Sequence, residues 1–91
     1  MKRKKEVNDY SSNDYRKAIS LALQAGGKTK VDSDRNAFSK HSPFLDSDDP
    51  VKLAQFCLWI YEGKIHITNF KESDLKKVRE EMGNQLDRMF G

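Results

Sequence analysis

A chain of 91 residues that is 36% hydrophobic and 34% charged, with a formal net charge of +3, supports one small domain: it is too charged for a membrane protein and too apolar for wholesale disorder. Its longest uninterrupted apolar run, Phe56 to Tyr61, is far short of the roughly 20 residues that a membrane span needs. A single cysteine, Cys57, excludes an internal disulfide. The expected address is cytoplasmic, because Glu6, Asn8, Asp9 and Ser11 follow the basic start where a signal peptide needs apolar residues.

Residues 1–10 have no period and read as a flexible basic arm, with residues 11–91 as a single helical domain. Basicity is concentrated at the start. Residues 1–30 hold eight Lys or Arg against three Asp or Glu, residues 31–50 two against five, and residues 51–91 seven against six. Ser11 or Ser12 has the chemistry of an N-cap, and Tyr15, Ala18, Ile19, Ala22 and Leu23 then form a helical stripe that Gly26-Gly27 stops. Between that stop and Asp49, polar residues surround the anchors Val31, Ala37, Phe38, Phe44 and Leu45. A short helix over residues 34–40 is expected, capped by Asp32 or Ser33 and ended by Ser42-Pro43, with Phe44 and Leu45 tucking a loop onto the core.

The stretch from Asp49 to Gly63 carries the largest apolar block. Asp49 suits an N-cap, Pro50 the first helical position, and Gly63 a left-handed stop, so a helix is bracketed between them. Leu53, Phe56, Cys57 and Ile60 make its main stripe, and Ala54, Leu58 and Tyr61 a second one beside it. Trp59 widens the arc further, leaving Lys52, Gln55 and Glu62 as the obvious solvent positions. After Gly63, Ile65 and Ile67 alternate with Lys64, His66 and Thr68, which predicts a short extended segment near residues 64–68 with no obvious strand partner. Asn69 and Glu72 have capping-box spacing. Leu75, Val78, Met82, Leu86 and Met89 then share one face of a last helix, in which Gly83 predicts a kink or a close contact.

Motifs with chemistry are few. Ala22 to Thr29 fits a loose phosphate-loop pattern, but its first six residues end a helix, whereas that loop follows a buried strand. Asp32, Asp34 and Asn36 match the first calcium-loop positions, yet Ala37 stands where the turn glycine is needed and Pro43 where a bidentate Glu is needed. His41, His66 and Cys57 lack paired zinc spacing, so no metal and no cofactor is expected. No nucleophile with a base, and no carboxylate pair among apolar residues, points to catalysis. The Ala22-x-x-x-Gly26 spacing matches a helix-turn-helix over residues 15–41, with Arg35, Asn36, Ser39 and Lys40 on its second helix, although Asp32 and Arg35 fall where buried residues belong.

The expected fold is therefore mainly α: a small single domain of three to four helices with one short extended segment. The expected function is non-enzymatic regulation. Nucleic acid would be held through Lys2, Arg3, Lys4 and Lys5 of the arm, with Arg16, Lys17, Lys28, Lys30, Arg35, Asn36 and Lys40. The alternative is an adaptor or inhibitor that occludes a protein partner through Trp59, Tyr61, Val78, Met82, Leu86 and Met89, the kind of product that accessory genes of mobile elements encode. The apolar excess of the central and last helices also predicts a homo-oligomer, a dimer in the simplest case.

Overall fold

The structure, a computed structural model, describes residues 6–27, 42–67 and 70–91. Three long helices pack on one another among these residues, and the fold is mainly α as expected. Helix α1 spans Ser12–Ala25. The Ser11 hydroxyl accepts from the Asp14 N–H at 3.2 Å, while the Asp14 carboxylate accepts from the Ser11 N–H at 2.9 Å. Two donors that the helix leaves orphaned are thus satisfied reciprocally. Its buried residues are Tyr15, Ala18, Ile19, Ala22 and Leu23, the stripe that the spacing predicts.

Ser42–Leu45 forms a single helical turn, α2. Ser42-Pro43 opens this turn, and the helix expected over residues 34–40, with Ser42-Pro43 as its end, lies outside the described residues. Leu45 is buried, and the half-buried Phe44 ring meets Phe56 at 6.1 Å and the edge of Trp59 at 5.2 Å.

Helix α3 spans Pro50–Glu62, between the Asp49 carboxylate, which accepts from the Val51 N–H at 3.0 Å, and Gly63 at φ +72°. Only a residue free of a Cβ takes that backbone angle without strain. There the Gly63 N–H reaches the Ile60 carbonyl at 3.2 Å and the Lys64 N–H reaches that of Trp59 at 2.9 Å, a paired C-terminal stop. Leu53, Ala54, Phe56, Cys57 and Ile60 are buried. Beyond the stop, Ile65 and Ile67 are buried and Lys64 and His66 exposed. The alternation is therefore real, but no strand pairing occurs among the described residues. The segment is a strap across the core.

Helix α4 spans Glu72–Phe90. The capping box expected from Asn69 falls outside the described residues; Lys71 holds the cap position and its side chain makes no capping bond. Glu72 and Asp74 in the first turn and Arg88 in the last suit the helix dipole. Buried Gln85 donates to Glu81 at 2.7 Å, and this bond, helped by Asn84, holds the Glu81 carboxyl below its usual range. The most extensive pairing is α1 with α4, and α3 closes the core against both.

The arm expected over residues 1–10 is shorter than its sequence suggests. Val7–Asp9 form a 3-10 turn that packs on α3. Tyr15 donates its hydroxyl proton to the Val7 carbonyl at 2.7 Å, and Tyr10 donates to the carbonyl of Met89. The Tyr10 ring stands edge-on to Tyr15 at 6.0 Å and to Phe90 at 5.4 Å, and Phe90 stacks on Tyr15. Residues 6–10 thus belong to the folded body, which begins before residue 11.

Burial pushes the Cys57 thiol up to about 12 from 9.0, and burial, with Cys57 beside it, pushes the Tyr15 phenol up to about 12 from 10.0. Both groups hold their protons more tightly when folded, so between pH 9.0 and about 12 the unfolded chain binds fewer protons and stability falls as pH rises. Their contribution is complete below pH 9.0. The melting temperature should decline from about pH 9 upward. A disulfide reagent should leave native Cys57 unmodified at pH 8 and titrate it fully in denaturant, and rapid native labelling would contradict this burial.

Candidate docking face

The exposed side of α3 decides what this domain can hold. Val51, Ala54, Leu58 and Tyr61 recur at steps of three and four residues and so share one stripe. Among the described residues, the large apolar side chains left exposed are Val51 at 51%, Leu58 at 43% and Tyr61 at 51%, all on that stripe. Helix α4 supplies the other wall. One depression is lined by Leu58, Tyr61, Glu80, Gly83, Leu86 and Asp87, with Asn84 at its edge. A second, more apolar one is lined by Val7, Ala54, Leu58, Leu86, Asp87 and Phe90. Because Leu58, Leu86 and Asp87 border both, the two are one continuous strip.

Gly83 fixes the far end of the strip. A Cβ there would stand 2.8 Å from Tyr61 Cε1 and 3.2 Å from Cδ1, so the missing side chain is what lets the Tyr61 ring lie on the α4 backbone. The contact that Gly83 predicts is therefore found, and its partner is an exposed aromatic ring.

The residues expected to form sites are placed as follows. Lys2, Arg3, Lys4, Lys5, Lys28, Lys30, Arg35, Asn36 and Lys40 lie outside the described residues, as do Asp32, Asp34 and His41. Lys17 is exposed. Half-buried Arg16 serves the fold: Nε donates to the Leu45 carbonyl at 2.8 Å and Nη2 to that of Ser47 at 2.6 Å, while Nη1 reaches Ser12 and Asn13. Its guanidinium ties the approach to α3 onto α1, and Asp48 stands 3.9 Å away. Ala22 and Gly26, read as part of a helix-turn-helix, have a packing reason for their size. A Cβ on Gly26 would meet Val78, come within 2.7 Å of the Phe70 ring and stand 3.1 Å from the Asp74 carbonyl.

The last-helix seam expected to reach a partner or a second copy turns inward. Val78 and Met82 are 0% exposed and belong to the domain's own core, because α1 lies against them. Trp59 is half-buried on Phe44, and Met89 is half-buried with its carbonyl taken by Tyr10. Tyr61 and Leu86 do lie on the strip. Val51, Leu58 and Phe90 were not anticipated as contact residues; Leu58 and Tyr61 share a stripe with Ala54 in the sequence, and Val51 extends it by one helical step.

Among the described residues, no group of three or more His, Cys, Asp or Glu side chains is placed to hold a metal ion, and no helix is long and apolar enough to cross a membrane. No protein-family model matches the chain, and no curated protein or solved structure is significantly similar to it. Fold and face together define a small, mainly helical domain with an apolar strip exposed among the described residues.

Proposed function

We propose that the chain is a small non-enzymatic regulatory protein of the cytoplasm that binds a protein partner along the α3–α4 strip and occludes it. The observation that carries this reading is that Val51, Leu58 and Tyr61, the large apolar side chains left exposed among the described residues, share one stripe. Apolar residues scattered over a surface need no explanation, whereas a contiguous apolar strip with polar edges is characteristic of an interaction site. A tyrosine ring backed by a glycine suits an interface anchor, since it offers a large contact area with little conformational freedom to lose.

The second reading is nucleic-acid binding through the basic arm, favoured by the eight Lys or Arg within residues 1–30. One experiment separates the two. A photo-cross-linking phenylalanine derivative is placed at position 58 or at position 17 of the full chain and activated in cells. Protein adducts should form from position 58 and weaken in Tyr61→Ala, whereas the second reading expects nuclease-sensitive adducts from position 17. An absence of protein adducts from position 58 would remove the first reading.

A further inference from the structure

We infer that the strip takes a basic amphipathic helix of about three turns from a partner protein. This rests on the docking reading above and adds the chemistry of the occupant.

Three features of the strip fix that chemistry. The first is its length. From Glu80 to Phe90 the α4 wall runs ten residues, about 15 Å at 1.5 Å per residue, which matches three turns of a helix laid alongside. Such a helix would present apolar anchors at i, i+3 or i+4, and i+7. The second is the charge of the edge. Glu80 and Asp87 border the strip on α4, and neither has an ion-pair partner among the described residues. No Lys, Arg or His lines either depression. The third is spacing. Glu80 and Asp87 are seven residues apart, two turns on one side of α4 and about 10 Å along its axis. A partner helix carrying Lys or Arg two turns apart on one flank would meet both carboxylates, and the Tyr61 ring would receive the aliphatic stem or the head of a third cation.

The same features weigh against a second copy of this chain. A two-fold contact across the strip would bring both Glu80 and Asp87 pairs together with no cation of the lining between them, an unfavourable juxtaposition of like charge.

The test uses the full chain and two labelled synthetic helices of about 16 residues, long enough to cover the strip with a turn to spare. Both carry leucine at the anchor positions. One has lysine at two flank positions seven apart, and its twin has glutamate there. Fluorescence anisotropy at low salt should show the lysine helix binding about tenfold or more tightly than the glutamate twin, with the gap narrowing as salt is added. The double variant Glu80→Lys, Asp87→Lys should reverse the preference, and Leu58→Glu should abolish binding of both helices. Equal affinity for the two helices, or a preference unmoved by the charge reversal, overturns the inference. If Leu58→Glu still abolishes both in that case, the docking face stands and only the cationic partner falls. Binding of neither helix also overturns the inference, and the cross-linking from position 58 then speaks separately for the docking face. Sedimentation showing a dimer that Leu58→Glu dissociates would assign the strip to a second copy and overturn it too.

Discussion

Phe56→Ala should lower the unfolding free energy by about 3–5 kcal/mol, the range for emptying a core site of an aromatic ring. Phe56 is 0% exposed and sits where α2 and α3 meet, with the Phe44 ring 6.1 Å away. Removing it takes away the buried area of the ring and leaves a cavity in the cluster of buried side chains, which collapses only in part. A domain of this size has only about 5–15 kcal/mol to lose, so a large fraction of the variant should be unfolded at body temperature if the wild type lies at the lower end. Urea denaturation should give a lower midpoint with an unchanged slope. Leu58→Ala, on the exposed strip, should change the midpoint by less than about 1 kcal/mol equivalent. Equal losses at the two positions would mean that the buried and open sides of α3 have been interchanged.

Gly26→Ala should destabilise the domain by about 1–3 kcal/mol, against the usual direction of such a change. At φ −82° the backbone of Gly26 is open to alanine, and elsewhere the substitution stabilises by about 0.4–1 kcal/mol by restricting the unfolded chain. Here the added Cβ would meet Val78, approach the Phe70 ring to 2.7 Å and stand 3.1 Å from the Asp74 carbonyl. Val78 is wholly buried and cannot turn aside, so relief requires α1 and α4, the most extensively paired helices, to separate at this end. Gly83→Ala provides the contrast. The atoms its Cβ would meet belong to the half-exposed Tyr61 ring, which can swing into solvent while the helix gains propensity. Thermal melts should therefore place Gly26→Ala below the wild type and Gly83→Ala at or above it.

These contrasts show where the sequence is informative. Helix ends are legible where their chemistry is local: Ser11, one of two serines with cap chemistry, opens α1, and Asp49 with Pro50 and Gly63 brackets α3 within a few residues. Core stripes are legible for the same reason. What covers a stripe is not. Leu58–Tyr61 and Val78–Met82 are equally apolar pairs at helical spacing, and only the docking of α1 decides that Met82 is interior and Leu58 open. Ile65 and Ile67 alternate as a strand would, but the hydrogen-bond partner that makes a strand belongs to another part of the chain. Arg16 lies on the polar side of its helix, so its spacing suggests a solvent cation; its acceptors, at Leu45 and Ser47, lie 29 and 31 residues further on. The acidic edge of the strip was hidden likewise, since Glu80 and Asp87 acquire meaning only beside Leu58 and Tyr61 of a different helix.

The clasp of Tyr10, Tyr15 and Phe90 bears on how the molecule is made. Synthesis delivers α1 before α3 and α4 after it, yet α1 and α4 are the principal partners of the interior. As the chain leaves the ribosome, the apolar sides of α1 and α3 have only each other until α4 follows, and the ring that closes the bottom of the domain is residue 90. Native packing is thus deferred until α4 has emerged, and until then the growing chain carries uncovered apolar surface, the condition under which chaperones are recruited. A premature stop anywhere in α4 would remove Phe90 and the Met89 carbonyl together, and release a chain whose first helix has lost its clasp.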